Sequence, residues 1–374
     1  MINKKLIYLL GFITLITLVM VSLLGIQKGR NSSFSVGSYK YKLANECGEL
    51  SGINRGSLAT CVKEYLEREV SDVGFIETAK DLEGSVSEVP EINHVCHPYA
   101  HFIGKGAFKE TKSIRKSIFS ATSFCEWGYL HGLNIEAGSE YKGMDLYNLL
   151  IDGCLYLKEL KGNYYECAHG MGDSFLSSTN NLHEALKFCE IIEDEGIRLN
   201  CAQGAANYWA DAIVKKKKAD LPLSKEEKEY LNNKPYKICE DIEEKFSRSG
   251  CFDYAVRLNQ VYVGGVEKFI PLCKAYKDED LISCFKGIGR EMAYSQGFSI
   301  AKVVDICASS GEVWASAGCV DVMITSKTQI FRDIEGKVLK EVCKESNLSI
   351  LGVKEGCEAS RNGLEKYYKG DFKL

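Results

Sequence analysis

Four of the six histidines in this chain lie between Cys96 and Asp173, in the runs CHPYAHFIG, CEWGYLHG and ECAHGMGD, each near a cysteine and a glycine. His97 and His101 are four residues apart, as are His169 and Asp173. At about 100° per residue that spacing leaves each pair about 40° apart on one helical face, where two side chains can share one ion. With His131 from the segment between them, the set offers four imidazoles and one carboxylate, donors suited to zinc, copper or iron(II). Pro98 fits the first helical position, which places His97 at the cap. The alternatives are a helix cap for His97, a hydrogen-bonded core residue for His101, packing or turn residues for His131 and His169, and a simple ion pair for Asp173. Glu136, five residues beyond His131, is the candidate general base beside a metal-bound water. His94 and His183 fall outside the pattern and read as surface residues.

Other chemistry is poorly represented. The chain has no CxxCH for haem attachment, no Gly-x-Ser-x-Gly elbow and no HExxH, and GIGRE and GKGAF lack the frame of a phosphate loop. They read as helix-packing glycines. The net charge of −4 comes from interspersed acids and bases with no basic face, which argues against a nucleic-acid partner.

The sixteen cysteines fall in order into neighbouring couples: Cys47/Cys61, Cys96/Cys125, Cys154/Cys167, Cys189/Cys201, Cys239/Cys251, Cys273/Cys284, Cys307/Cys319 and Cys343/Cys357. Within seven couples the spacing is 11 to 14 residues, and Cys96/Cys125, at 29, departs from it. Zinc clusters use tighter ligand pairs, so the thiols are expected as up to eight disulfides formed in an oxidising compartment, which removes them as metal ligands and thiol nucleophiles. The body is therefore expected in the periplasm or the extracellular space.

First cysteines of successive couples expose a repeat: Cys154 to Cys189 is 35 residues, Cys239 to Cys273 and Cys273 to Cys307 are 34 each, and Cys307 to Cys343 is 36. A period near 35 suits one helical hairpin per repeat. One helix ends near the first cysteine, a polar bend follows (EDEG, KDED, SSGE, KESN), and the second cysteine opens the next helix. In the second helix Cys201, Ala205, Trp209 and Ala212 form the expected buried stripe. The 50-residue step from Cys189 to Cys239 carries an insertion, 214–236, read as an extra surface helix capped by Ser224 or as a solvated loop. β signals and prolines are scarce, so the body is expected to be all-α.

Glycine recurs three residues after a second cysteine, at Gly128, Gly170, Gly204 and Gly287. Three further on come His131, Asp173, Asn207 and Arg290. Glycine costs a helix up to about 1 kcal/mol relative to alanine, so its recurrence implies close helix packing or room for a ligand. Either produces a polar ladder along one groove. Arg257 and Arg290 hold equivalent ladder positions, so the groove residues Asn207, Arg257 and Arg290 suggest an anionic ligand or solvated ion pairs.

Leu6–Ile26 is an uncharged apolar run of 21 residues, about 31 Å as a helix at about 1.5 Å per residue. That length crosses a bilayer core. Lys4 and Lys5 precede it and no full small-x-small cleavage site follows, so a signal anchor is expected, with a cleaved signal peptide as the alternative. The expected order is an anchor at 1–26, a tether at 27–43, a first hairpin at 44–92 ending in a linker at Glu83–Ile92 (EGSVSEVPEI), a histidine-rich helical region at 93–180, and stapled repeats at 181–374.

From Cys154 to Cys357 the chain resembles the tetratricopeptide-like solenoids, in particular the secreted bacterial cysteine-rich repeat proteins, through FCEIIEDEGIRLNCAQG, ICEDIEEKFSRSGCFDY and LCKAYKDEDLISCFKGIG. The resemblance implies an α-solenoid with a concave face that binds a protein or peptide, and implies nothing about the histidines. Two functions from different classes follow. One is a membrane-tethered exported metalloprotein using His97, His101, His131, His169 and Asp173, with metal-dependent catalysis as an extension. The other is a metal-free binding scaffold.

Overall fold

The computed structural model describes residues 39–368, apart from 53, 119–123, 161–162, 233–234, 262–264, 295–298 and 332–334. The apolar run Leu6–Ile26 and most of the tether lie outside the described residues. Among the described residues no helix is long and apolar enough to cross a membrane.

Lys40–Leu374 is one compact unit, built among the described residues from helices alone, with no strand. It opens with α1 (Lys42–Cys47), α2 (Arg55–Asp72) and α3 (Phe75–Glu88). The histidine region follows as α4 (His97–Thr111), α5 (Ile114–Ser117), α6 (Gly128–Glu140) and α7 (Gly143–Glu159). Next come α8 (Tyr164–Thr179), α9 (Leu182–Glu190), α10 (Glu195–Lys218) and α11 (Lys225–Leu231). The remainder is α12 (Lys237–Glu240), α13 (Lys245–Ala255), α14 (Phe269–Cys273), α15 (Asp278–Tyr294), α16 (Ile300–Ala308), α17 (Val313–Phe331), α18 (Lys337–Val342) and α19 (Val353–Tyr368).

The helices sort into two layers. In the first, α4, α6, α8, α10, α13, α15, α17 and α19 each pack against the next in that order. In the second, α9, α12, α14, α16 and α18 each pack on the long helix that follows them. All eight cysteine couples are disulfides, and none of the described cysteines is free. Closing loops of this length contributes about 3 kcal/mol each, less in sum because neighbouring bridges constrain the same unfolded chain. Eight such bridges fit an oxidising, extracytoplasmic environment.

The bends behave as side-chain chemistry requires. Asn54 accepts from the Gly56 amide to start α2, Asp194, the second residue of EDEG, accepts from the Ile197 amide to start α10, and Glu244 accepts from the Ser247 amide to start α13. Contrary to the expected grammar, the second cysteine therefore does not open its helix. Cys61, Cys201, Cys251, Cys284 and Cys319 each sit nearly two turns inside. Where a cap is formed, a polar side chain of the bend, and not the cysteine, satisfies the first orphan amides. The first bridge differs from the repeats in burial as well. Cys47 on α1 is buried, whereas its partner Cys61 on α2 is only half-buried, so this staple sits at the edge of the core.

In the stripe along α10, Cys201, Ala205 and Trp209 are buried, but Ala212 is only half-buried and Ile213 takes the core position. The insertion divides. Its first residues prolong α10 to Lys218, and α11 is an exposed helix closed by a Ser224/Glu227 capping box and tied back by Lys216 to Glu227.

The expected linker at 83–92 is instead mostly helix, since α3 runs to Glu88 and a 3-10 turn covers Pro90–His94. The reason is tertiary. Asp81 on α3 accepts from the Lys42 and Leu43 amides that open α1 and from the Tyr65 hydroxyl, while Gly84 leaves room for the ring of Tyr41. The helix propensity lost at Gly84 and the serines is offset by that docking.

Between the long helices the spacing is set by glycine. A Cβ on Gly128 or Gly132 of α6 would overlap the carbonyl of His97 or His101 on α4. One on Gly172 of α8 would overlap the Cys201 carbonyl, one on Gly204 of α10 the His169 carbonyl, and one on Gly287 of α15 the Asp253 carbonyl. The recurring glycines are therefore packing residues. By contrast Gly363 on α19 has open space where a Cβ would go. Gly204→Ala is expected to destabilise by about 1–3 kcal/mol, the usual cost of overpacking. Gly363→Ala is expected to be neutral or to stabilise by up to about 1 kcal/mol through helix propensity. Urea unfolding of both variants checks this, and equal effects would contradict it.

Candidate metal centre

Three helices converge on the site. α4 begins at His97, with Cys96 as its N-cap residue and Pro98 in its first turn, so His97 is the first helical residue and not the cap. His97 and His101 lie one above the other, and their Nε2 atoms approach to 3.4 Å. α6 supplies His131, whose ring centroid is 5.2 Å from that of His97 and 5.8 Å from that of His101. One donor atom from each of the three lies within 4.8 Å of the others, a group that can hold a metal ion.

A tetrahedral site with bonds of about 2.0–2.1 Å has ligand atoms about 3.3 Å apart, so His97 and His101 already stand at that separation. The carbonyl of Cys125 receives His97 Nδ1 at 2.9 Å. A carbonyl only accepts, so Nδ1 carries the hydrogen and Nε2 presents a lone pair. That carbonyl is fixed in turn by the Cys96–Cys125 bridge and by Asn93 Oδ1, which accepts from the Cys125 amide at 2.9 Å. The 29-residue spacing of this couple thus spans the turn that orients the first ligand. Burial, with the neighbouring His97 and His131, pushes the His101 imidazole down to about 2, so the ring is neutral at neutral pH, one nitrogen carrying hydrogen and the other a lone pair.

His169 and Asp173 stand outside that group and turn to different partners. Asp173 Oδ2 lies 3.8 Å from His131 Nδ1. His169 stacks on the His131 ring with centroids 5.4 Å apart, reaches Asn207 Nδ2 at 3.4 Å through Nε2, and meets the Tyr254 ring at 5.6 Å. Both residues are buried. Burial drives His169 well below its ordinary range, with His131 and Arg290 adding to it. Burial also pushes Asp173 up to about 7, against the pull of His131. These two residues form a layer behind the triad.

The polar ladder continues along the long helices as paired charges. Arg257 Nε donates to Asp211 Oδ1 at 2.5 Å and Arg257 Nη1 lies 3.8 Å from Glu291. Arg290 pairs with Asp253, which also accepts from Gln203, and stacks over Tyr254 at 4.1 Å. Burial opposes both guanidinium charges, yet Asp211 and Asp253 raise their pKa values further. With a carboxylate on each arginine, the ladder has no net positive charge for an anion. Glu136 sits some 140° round α6 from His131, with its carboxylate 3.6 Å from Lys109 Nζ.

Glu166 was not singled out by sequence reasoning. Its Oε2 lies 3.7 Å from His131 Nε2. The signal was present, because Glu166, His169 and Asp173 follow at three and seven residues on one face of α8. Asp211, Asp253 and Tyr254 were also missed, and no local spacing points to them. His183 is half-buried on α9 beside the bend at 241–244, well separated in sequence from the triad. Comparison with protein-family models, with curated proteins and with solved structures finds no match.

Two outcomes follow from this geometry. Replacing both Cys96 and Cys125 by alanine should lower zinc affinity at the triad by about 10–100-fold, the usual cost of losing a ligand's outer hydrogen bond. Competition with a chromophoric chelator reads this, and unchanged affinity would contradict it. The second concerns pH. The folded His101 stays neutral far below the value near 6.5 at which the unfolded chain takes up a proton, so the unfolded state binds the extra proton as pH falls. Stability from this residue is intact above about pH 6.5 and is lost as pH falls below it. Between about pH 7.5 and pH 5 the wild type should therefore lose more unfolding free energy than His101→Gln, and parallel losses would contradict the buried, neutral imidazole.

Proposed function

We propose that this chain is an extracytoplasmic helical-repeat protein, held at a membrane by Leu6–Ile26, that binds a divalent transition metal (zinc, copper or iron) through His97, His101 and His131. The observation that carries the reading is the approach of His97 and His101 Nε2 to 3.4 Å, with His131 completing a group within 4.8 Å. Two neutral imidazoles gain nothing from meeting lone pair to lone pair unless a proton or a cation lies between them. His101 Nε2 can carry the ring's own hydrogen toward the His97 lone pair, and in the other tautomer the two lone pairs converge on a space suited to a metal ion. Asp173 Oδ1, buried without a hydrogen-bond partner among the described residues, places a polar oxygen behind His131. When bound, a dication supplies Lewis acidity and fixed positive charge at this point. The chain's own residues supply three neutral donors, the Cys125 carbonyl that sets one tautomer, and a carboxylate behind the third ring. Glu136, engaged with Lys109, is not given a catalytic role.

The second reading, a solenoid of tetratricopeptide-like hairpins whose concave face binds a protein or peptide, is favoured by the order in which the long helices pack. The two readings are compatible in one molecule, and metal content separates them.

The full chain, produced without a His tag in an oxidising compartment, should hold about one equivalent of metal by elemental mass spectrometry, directly or after reconstitution with zinc. His101→Ala/His131→Ala should lose it while keeping the helical circular dichroism of the wild type. A wild type that stays empty after reconstitution would contradict the metal reading and leave the scaffold.

A further inference from the structure

His131 lies between two carboxylates carried by one helix. Its Nδ1 faces Asp173 Oδ2 at 3.8 Å and its Nε2 faces Glu166 Oε2 at 3.7 Å. The two acids occupy unlike surroundings, since the Asp173 side chain is 6% exposed and that of Glu166 is 33% exposed. Resting on the metal reading above, we propose that Glu166 is the fourth ligand of the dication at His97, His101 and His131, with His131 Nε2 as donor and Asp173 as the positioning residue on Nδ1.

Three observations support this division. Glu166 stands outside the group whose donors all lie within 4.8 Å, but its Oε2 is 3.7 Å from His131 Nε2 and its side chain has three torsions by which to turn toward the ion. The backbone under Glu166 is fixed, because Cys167 beside it is bridged to Cys154 and the Cys167 carbonyl accepts from Asn134 Nδ2 at 2.9 Å. Charge points the same way. Three neutral imidazoles leave both charges of a dication uncompensated, and the charges of Lys105 and Lys215 already bear on His101. One carboxylate in the coordination sphere halves the excess. Asp173 meets the outer nitrogen of a ligating histidine, where a carboxylate fixes ring orientation and raises donor strength. Glu166, reaching solvent, is then the ligand through which a metal enters and leaves, and the filled sphere makes this a site that holds a cation.

The test is titration of the full chain with cobalt(II) and zinc(II), with the cobalt absorption spectrum as the readout of ligand type. Wild type, Glu166→Gln, Glu166→Asp and Asp173→Asn are compared. Glu166→Gln should weaken binding by about 100-fold or more and change the shape of the cobalt spectrum, with Glu166→Asp recovering part of both. Asp173→Asn should weaken binding by about 10–100-fold and leave the spectral shape unchanged. Melting of the metal-free variants at the wild-type temperature separates ligand loss from unfolding, and Glu166→Asp carries the comparison if Glu166→Gln does not fold. Wild-type binding with an unchanged spectrum in Glu166→Gln would overturn the assignment of Glu166 and leave the histidine triad standing. A wild type that takes up neither metal would overturn both.

Discussion

Backbone-to-backbone approach at glycine is the constraint on which this molecule depends. Side chains of ordinary size keep helix axes about 8–10 Å apart. At Gly128 and Gly132 the surface of α6 reaches the His97 and His101 carbonyls, and at Gly204 the surface of α10 reaches the His169 carbonyl. That closeness lets imidazoles on three successive helices stand with ring centroids between 5.1 and 5.8 Å apart. The disulfides act on a different axis. Apart from Cys96–Cys125, which ties the start of α4 to the turn before α6, they fasten a helix to the one before it, and leave the packing of α6 on α4, α10 on α8 and α15 on α13 to glycine. Neither device alone would place the histidines.

The burial that follows decides the electrostatics. A polar ladder in this position is stable only if each charge is met. Arg257 and Arg290 are met by Asp211, Glu291 and Asp253. His101 and His169 are met differently, by losing their charge, and neutral imidazole is the form that binds a metal. The same column therefore divides into a salt-bridged half, which is structural, and a histidine half, which is chemically open. The Cys96–Cys125 bridge lies at the histidine end, where its carbonyl fixes a ligand tautomer.

Much of the fold was legible because it is written locally. Cysteine couples 11 to 14 residues apart, polar bends between them, and a period near 35 determine hairpins and their bridges without knowledge of distant contacts. Ser224 as a cap likewise pointed to α11, with a loop as the alternative, and the structure completes it as a capping box with Glu227. Where a helix begins was read less well, since Cys61 and its counterparts lie well inside helices that the bend residues start. What local pattern could not show is what tertiary docking imposes. Helix through Glu83–Glu88 depends on Asp81 capping α1 and on Tyr41 lying over Gly84. The site was legible in part for the same reason. His97 and His101 meet because four residues make one turn. His169 and Asp173 share that spacing and separate because Asp173 turns to His131 while His169 turns to Asn207 and Tyr254. The pairing of Arg290 with Asp253 joins residues 37 apart, and no periodicity encodes it.

The measurement that tests the central claim most directly is anomalous X-ray diffraction at the zinc edge from crystals of the zinc-loaded protein. The account predicts one dominant peak, about 2.0–2.1 Å from a ring nitrogen of each of His97, His101 and His131. A peak bonded to His169 and Asp173 in place of the triad, or no ordered zinc in this region, would contradict it.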